Sequence, residues 1–222
     1  MKKTKRLLKL LELVPENSNV VFDVGCDHGI LSALLITTGK AKKVYASDIS
    51  KMSLEKTIKL KEELKISDKI ECLVSNGLNN FDKTIKSDCV VIAGMGGNEI
   101  IKILSNISDF SGYKTFLLQP AQDFYEVRKF LSQNKFEIIE DQIIEDKGKF
   151  YANILCTTNG KTENLTNLQC YFGKFMESNI NVDFTDFVNY TYKKLMMIKD
   201  YLGEEELSWM GFCQKYKSKE GV

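Results

Sequence analysis

The stretch VVFDVGCDHGILSALL, residues 20–35, decides the fold because one kind of structure ends and another begins within it. Its first five residues are mostly apolar and have the length of a buried strand, while ILSALL has the composition of a packed helix. The turn between them contains Gly25 and Gly29, which enclose Asp27 and His28. A strand, a glycine-containing turn and a helix in this order predict the first unit of a nucleotide-binding α/β fold.

Short apolar runs and segments with helical periodicity alternate from residue 20 onwards. We predict strands at residues 20–24, 43–47, 70–73, 89–93 and 115–118, and helices at residues 30–38, 51–64, 98–104 and 124–132. This alternation predicts a mostly parallel sheet with helices on both faces. Such sheets bind ligands beyond the carboxyl ends of their strands, so the residues at those ends are the candidate site.

The pattern changes towards the end of the chain. Residues 135–158 predict two strands joined by a turn at residues 146–148, an antiparallel hairpin at the edge of the sheet. A polar linker follows, and then apolar residues recur at the spacing of an amphipathic helix: Phe184, Phe187, Val188, Thr191, Leu195, Ile198 and Leu202. We therefore predict a Rossmann-like α/β domain at residues 1–160 and a small C-terminal helical domain at residues 161–222.

The charge balance excludes a globally basic nucleic-acid binder. The 222 residues include 31 Lys and Arg against 30 Asp and Glu, a net charge of +1. Contact with RNA would need a local basic patch, and we predict one at the start of the chain, with Lys2, Lys3, Lys5 and Arg6. The alternative is that these residues form the solvated face of a first helix whose other face is Leu7, Leu8, Leu10 and Leu11.

The cysteines and the single histidine bound the chemistry further. The six cysteines are scattered without a CxxC pair, which is typical of reduced thiols in the cytoplasm. With His28 as the only histidine, we expect no zinc site and no metal. The sequence also has no signal peptide and no apolar run long enough for a membrane span, so we expect no membrane partner.

The turn DVGCDHG favours one class of cofactor. A dinucleotide-binding turn needs glycines where this chain has Asp27 and Ile30, and a carboxylate there would repel a pyrophosphate. S-adenosylmethionine carries a sulfonium and an ammonium group instead, and both attract carboxylates. Asp23 would hold the ammonium group or the loop, and Gly25, Cys26, Asp27 and Gly29 would form the cofactor-binding turn. An ordinary strand-to-helix turn with a capping acid explains the same heptapeptide equally well.

Two further strand ends carry groups that suit the rest of this cofactor. Asp48, followed by Ile49, lies 25 residues after Asp23, close to the spacing at which an acid meets ribose hydroxyls. Asn76, followed by Gly77, ends the third strand and would meet the adenine edge. The alternative is that Asp48 caps the helix that begins near residue 51, a role that Ser50 also suits. All three strand ends together predict the cofactor-binding domain of a class I methyltransferase.

The fourth and fifth strand ends are candidates for the substrate side. The fourth ends in AGMGG and lacks the Asn-Pro-Pro-aromatic motif of many amino-group methyltransferases of this fold. Ala93 and Gly94 would complete the cofactor wall, and Gly94, Met95 and Gly96 would leave space for a target base. We also predict substrate contacts by Gly97, Gln119 and Pro120. The glycines have an alternative role in starting a helix, with Gly97 or Asn98 as its cap.

The motifs DVGCDHG, SDI, NGL, IAGMGG and LQP, in this order and spacing, resemble those of the bacterial tRNA adenine-22 N1-methyltransferase family. The resemblance covers effectively the whole chain. It implies transfer of a methyl group from S-adenosylmethionine to N1 of an adenine in tRNA, with a C-terminal helical domain that assists tRNA binding. The chain departs from the family at Asn76, where an acid is the commoner residue.

A carboxylate near the target would stabilise the positive charge that develops on the adenine and accept a proton from its exocyclic amine. Asp27 is the first candidate and His28 the second. The alternative role of Asp27 is to bind the cofactor ammonium group. Rival functions are methylation of a small molecule or a protein, and non-catalytic RNA binding on a retained fold. An NAD-dependent enzyme is disfavoured by Asp27 and Ile30. We expect the protein to be monomeric.

Overall fold

The computed structural model describes residues 3–158 and 163–217. Its strands are β1 (Ser18–Val24), β2 (Ala41–Asp48), β3 (Ile70–Val74), β4 (Ser87–Ala93), β5 (Tyr113–Gln119), β6 (Glu137–Asp146) and β7 (Lys149–Thr157). Its α-helices are α1 (Lys5–Leu13), α2 (Ile30–Thr37), α3 (Lys51–Glu63), α4 (Gly97–Ser105), α5 (Phe124–Gln133), α6 (Asn167–Phe172), α7 (Val182–Met197) and α8 (Glu204–Tyr216). A 3₁₀ turn, Lys199–Tyr201, lies between α7 and α8. Every strand and helix predicted with bounds is confirmed, with ends that differ by at most two residues.

The strands form one sheet in the order β3-β2-β1-β4-β5-β7-β6. Strands β1 to β5 are parallel, and β7 is antiparallel to both β5 and β6. The predicted antiparallel edge hairpin is therefore confirmed, and its turn residues Lys147 and Gly148 both have positive φ, as a tight two-residue hairpin turn requires. The chain moves outwards from β1 to β3 and then returns to β4. This reversal opens a crevice beyond the ends of β1 and β4, where ligands of such sheets bind.

The sheet has an apolar core on each face because its central strands are buried on both sides. On β1, Phe22 and Val24 belong to one apolar cluster, and Val21 belongs to the other. The first cluster also contains residues of α4, α5 and the C-terminal helices. The second contains Leu10 of α1 together with residues of α2 and α3. Leu8 is 44% exposed and so departs from the predicted apolar face of the first helix.

The C-terminal helices pack on the sheet instead of standing apart. Helix α7 buries Phe184, Phe187, Val188, Thr191 and Leu195, as its periodicity predicts, while Ile198 is half-exposed. Phe172 of α6 and Phe212 of α8 lie in the same apolar cluster as the sheet residues. The predicted domain boundary at residues 160 and 161 lies outside the described residues, so the division into two domains stays a prediction.

A buried ion pair also contacts the first of the C-terminal helices, α6. Arg128 of α5 donates from Nε and Nη2 to the two carboxylate oxygens of Asp141 in β6, both at 2.8 Å, and neither side chain is exposed. Its Nη1 donates to the carbonyl oxygens of Cys170 and Tyr171, each at 3.1 Å. The guanidinium group thereby satisfies its donors across α5, β6 and α6. Across residues 3–158 and 163–217, none of the helices is long and apolar enough to span a membrane.

Candidate cofactor and substrate site

The loop after β1 is held in shape by main-chain hydrogen bonds to β2. The N–H groups of Gly25 and Cys26 donate to the carbonyl oxygen of Ser47 at 2.8 and 2.9 Å. Gly25 has φ +74°, and an added Cβ would lie 2.7 Å from Cε of Met95. Gly29 packs so closely on α3 that a Cβ would lie 2.4 Å from Cγ2 of Thr57. The glycines therefore permit a tight loop that leaves its main chain open towards β4.

Asp23 ends β1 beneath this loop and is buried. The hydroxyl of Ser32, in the first turn of α2, donates to its Oδ2 at 2.6 Å. Burial raises the pKa of the Asp23 carboxyl to about 6, because the charged form loses its hydration. Burial also raises the pKa of the Cys26 thiol, so this neighbour stays neutral.

Asp48 connects the loops that follow β1 and β2. Its Oδ2 accepts the N–H of Asp27 at 3.1 Å, and its Oδ1 accepts the N–H of Ser50 at 2.8 Å. Ser50 is the N-cap of α3, since its hydroxyl accepts the N–H of Ser53 at 3.3 Å. A carboxylate oxygen accepts two hydrogen bonds, so Asp48 keeps acceptor capacity for a ligand.

A first cavity of about 310 Å³, here called the cofactor cavity, lies beyond β1, β2, β3 and β4. Eight predicted cofactor-binding residues line it: Gly25, Asp27, Asp48, Ile49, Asn76, Gly77, Ala93 and Gly94. Ile49 is 72% exposed, which is unusual for so large an apolar side chain beside a carboxylate. An acid, an amide and a bare apolar side chain on one wall provide partners for a ribose, a base edge and a base face.

A second cavity of about 280 Å³, here called the substrate cavity, lies between α1 and the loop after β1. Its wall includes Arg6 from α1 and the predicted site residues Asp23, Cys26 and His28. Four residues line both cavities: Gly25, Asp27, Ala93 and Gly94. The two cavities therefore meet at the ends of β1 and β4, on either side of a wall made largely of main chain.

Arg6 extends along this wall. Its guanidinium group lies 5.3 Å from the centre of the Tyr151 ring, and Nη1 is 3.1 Å from where a Cβ on Gly94 would stand. Gly94 has φ +77°, a conformation that side chains other than glycine rarely adopt. Position 94 therefore needs a glycine for two reasons: its positive φ and the close packing of the Arg6 guanidinium group.

Asp27 and His28 are exposed at the mouth of the substrate cavity. His28 Nδ1 lies 3.3 Å from Asp27 Oδ2, and His28 Nε2 lies 2.7 Å from the ammonium nitrogen of Lys56 in α3. An ammonium group can only donate, so Nε2 accepts and the ring proton lies on Nδ1, facing the carboxylate. The hydroxyl of Thr57 donates to the carbonyl oxygen of Asp27 at 3.2 Å. Helix α3 thus orients both residues.

The glycines after β4 have separate positions. Met95 covers Gly25, while Gly96 is the N-cap of α4 with φ −65° and makes no side-chain hydrogen bond there. The expectation that Gly97 or Asn98 caps this helix is therefore wrong. Gly97 is buried where α4 meets the start of α5, and a Cβ would lie 2.7 Å from the carbonyl oxygen of Asp123.

Other predicted substrate residues lie behind the wall or at its edge. Gln119 and Pro120 are buried, and Nε2 of Gln119 donates to Asn153 Oδ1 at 2.6 Å and to the carbonyl oxygen of Arg6 at 3.4 Å. Lys3 is exposed, whereas Lys5 pairs with Asp183 of α7 at 2.5 Å. Lys2 lies outside the described residues. Arg6 is thus the member of the predicted basic patch that lines the substrate cavity.

Sequence reasoning missed three side chains that shape the site: Ser32, Lys56 and Tyr151. The first two lie on helices and contact loop residues far away in the chain, and Tyr151 belongs to the edge hairpin. Spacing from the motifs gives no signal for them, because α3 and β7 meet the loop only after the sheet has formed. Among residues 3–158 and 163–217 there is also no cluster of His, Cys, Asp and Glu suited to a metal ion.

Comparison with known proteins gives related sequences along most of the chain. A family described as "Methyltransferase domain" matches residues 3–154. The chain is 34% identical over 164 residues to the Mycoplasma genitalium protein named "Putative tRNA methyltransferase MG248", which covers 73% of each chain. It is 30% identical over 152 residues to the Bacillus subtilis tRNA (adenine(22)-N(1))-methyltransferase, covering 68% of this chain and 63% of that one.

The fold is also found among solved structures. M. capricolum TrmK, solved in complex with the cofactor product S-adenosyl-homocysteine, has a TM-score of 0.82 and 23% identity. The superposition covers 97% of this chain and 96% of that one. The shared fold therefore includes the C-terminal helices as well as the sheet, which confirms the predicted fold class.

Proposed function

The chain belongs to the bacterial tRNA methyltransferase family that includes tRNA (adenine(22)-N(1))-methyltransferase, and on this premise we propose its reaction. It transfers a methyl group from S-adenosylmethionine to N1 of adenine 22 in tRNA. The observation that carries this proposal is the meeting of two cavities at Gly25, Asp27 and Gly94. A cofactor in one cavity and a base in the other would meet at this shared lining, which includes glycine main chain and the Asp27 side chain.

The cofactor cavity fits S-adenosylmethionine in shape and charge. Gly25 and Gly94 line it with bare main chain, and neither position has room for a Cβ, which would meet Met95 and Arg6 respectively. Asp48 would accept the ribose hydroxyls, Asn76 would meet the adenine edge, and Ile49 would cover the adenine face. Asp23, which lines the substrate cavity beside the shared residue Gly25, would hold the ammonium group. When bound, the cofactor supplies an electrophilic methyl group on a positively charged sulfur.

The substrate cavity would receive the target adenine. N1 lies on the Watson–Crick edge, so the base must leave its pair and its stack before it can react. Ala93 and Gly94 offer bare main chain against which a flat base can lie, and Arg6 stands at the same wall. Arg6 and Lys3 would neutralise RNA phosphates at the cavity mouth. Gln119 has a supporting role, since it holds the main chain of Arg6.

Asp27 is the proposed proton acceptor. Its carboxylate lies in the wall common to both cavities, where it would stabilise the charge that develops on the adenine and take a proton from the exocyclic amine. Lys56 holds His28 with its Nδ1 proton facing the Asp27 carboxylate. Positioning supplies much of the remaining rate, because no covalent enzyme intermediate is needed.

Methylation of a defined tRNA transcript tests the proposal. Unmodified tRNA with adenine 22, and the same tRNA with guanine 22, are incubated with protein and labelled S-adenosylmethionine, and methylated bases are mapped. We expect N1-methyladenosine in the first transcript alone, and loss of turnover with retained cofactor binding in Asp27→Asn. In a cell extract with the same labelled cofactor, label in the protein or metabolite fraction with none in tRNA would refute the proposed substrate.

We further propose that the protein acts in the cytoplasm, where tRNA is found, and as a monomer.

A further inference from the structure

The connection from β3 to β4 differs from the other connections in the parallel part of the sheet. The other connections between consecutive parallel strands carry a helix, whereas residues 75–86, all of them described, contain turns only. Phe81 anchors this connection by packing on Phe22, with ring centres 4.4 Å apart. Beyond that anchor, no helix fills the space between the connection and α4. The result is a hollow of about 220 Å³.

This hollow has an apolar floor and a cationic rim. Leu78, Ile85, Ile103 and Ile107 form the floor, and Lys83, Lys86 and Lys102 stand on the rim. The three lysines are exposed. Within residues 3–158 and 163–217 their ammonium groups have no hydrogen-bond or ion-pair partner. We call this site the lysine-rimmed hollow.

The remaining polar groups of the hollow suit a base more than a peptide. Asn76, Asn79 and Asn106 contribute three amide side chains that can both donate and accept. Of the two carboxylates, Asp109 already accepts the N–H and the hydroxyl of Ser111, each at 2.9 Å. These bonds lower the pKa of Asp109, so its carboxylate stays charged. Three unpaired ammonium groups therefore face a site that contains two carboxylates, Glu99 and Asp109, and the positive groups outnumber the negative ones.

We propose that the lysine-rimmed hollow is a second binding site, which holds a nucleotide by its phosphate. Ammonium groups bind phosphate as point charges, amide side chains hydrogen-bond base edges, and the apolar floor accepts the base itself. The hollow adjoins the cofactor cavity through Asn76, Gly77, Glu99 and Ile103. The same chemistry is available from a nucleotide of the tRNA strand or from a free nucleotide. The tRNA source rests on the proposed function, and the free-nucleotide source does not.

A triple variant and a matched control test the site. In the test protein Lys83, Lys86 and Lys102 are replaced by Gln, and in the control the exposed Lys59, Lys69 and Lys149 are replaced by Gln. Both lose three charges from the surface, so a difference between them reports on position. We expect the test protein to bind tRNA on the order of tenfold more weakly, with a salt slope smaller by roughly one per lost phosphate contact. Affinity for S-adenosylhomocysteine should be unchanged in both.

A second arm distinguishes the two sources. With S-adenosylhomocysteine saturating the cofactor cavity, uridine 5′-monophosphate and uridine are titrated against wild type, test protein and control. Phosphate-dependent binding that the test protein loses supports a free nucleotide, even if wild type fails to methylate tRNA. Weakened tRNA binding without uridine monophosphate binding supports the RNA strand. If the test protein matches the control in both arms, the site does not exist.

Discussion

At the end of β1 the carboxyl group of Asp23 is buried, and burial raises its pKa to about 6. A bound ammonium group favours the ionised carboxylate. Below about 6 the free protein carries a neutral Asp23 that must lose its proton on binding, and above it the charge is already present. Affinity for S-adenosylhomocysteine, which keeps the ammonium group, should therefore increase with pH, by roughly tenfold per unit below the pKa.

Calorimetric titration of S-adenosylhomocysteine from about pH 5 to about pH 8 measures this dependence. Asp23→Asn should bind weakly and without the dependence, because its amide has no proton to release in that range. His28→Gln should retain it, which separates the contribution of Asp23 from that of the nearby imidazole. Equal pH dependence in wild type and Asp23→Asn would assign the effect to another residue.

Lys56 acts at the same scale through a single contact. It donates to His28 Nε2 at 2.7 Å, and so the ring proton of His28 lies on Nδ1, which faces Asp27. We expect Lys56→Gln to lower kcat on the order of tenfold while the affinity for S-adenosylhomocysteine stays the same. Lys56→Arg should restore part of the rate, since a charged guanidinium donor is stronger than the neutral amide of Gln, and Lys59→Gln on the same helix is the control. A parallel loss of cofactor affinity would show that Lys56 supports the loop as a whole.

At the scale of elements, Gly94 and Gly96 in the connection from β4 to α4 differ in backbone conformation, and substitutions at the two positions should have different effects. Gly94 has φ +77° and contacts Arg6, whereas Gly96 has φ −65° and the nearest atom to its missing Cβ is 3.5 Å away, in Gln122. Gly94→Ala should cost about 1–2 kcal/mol of stability through backbone strain and should displace Arg6, lowering kcat/KM for tRNA. Gly96→Ala should be close to neutral in both. Thermal unfolding and steady-state kinetics of the two variants measure these effects. Equal effects in both variants would contradict the different roles given to Gly94 and Gly96.

The same elements show what sequence can predict. Local periodicity predicts the strands β1 to β4, and the carboxyl ends of parallel strands lie at the same edge of a sheet. Asp48 after β2 and Asn76 after β3 are therefore placed on one wall from the sequence alone. Contacts between distant elements have no local pattern. Three such contacts depend on how the helices and the hairpin pack against the sheet. They are the packing of Gly97 on α5, the hydrogen bond from Lys56 to His28 and the burial of Gln119. The buried Arg128–Asp141 pair is of the same kind, since neither residue differs locally from a surface charge.

For the whole molecule, apolar packing, an ion pair and the buried Arg128 connect the C-terminal helices to the rest of the protein. Phe172 and Phe212 share its apolar core, and Lys5 of α1 pairs with Asp183 of α7. Because Lys5 is half-exposed, that ion pair contributes little energy, typically less than about 1 kcal/mol. It lies one residue from Arg6, however, so α7 helps to fix the helix that places Arg6 at the substrate cavity. The apolar core and the buried Arg128 must supply the cohesion.

Removal of Arg128 measures that cohesion. Arg128→Met leaves the Asp141 carboxylate buried with the N–H of Lys174, at 2.7 Å, as its main partner. An uncompensated buried charge costs about 3–5 kcal/mol, so urea unfolding should show a loss of that size. The double variant Arg128→Met with Asp141→Leu should recover part of it, because the orphaned charge is gone. Lys114→Met, which breaks the exposed pair with Asp88, is the control and should change stability by less than about 1 kcal/mol. If Arg128→Met falls within that range too, the buried Arg128 contributes little to the stability of the fold.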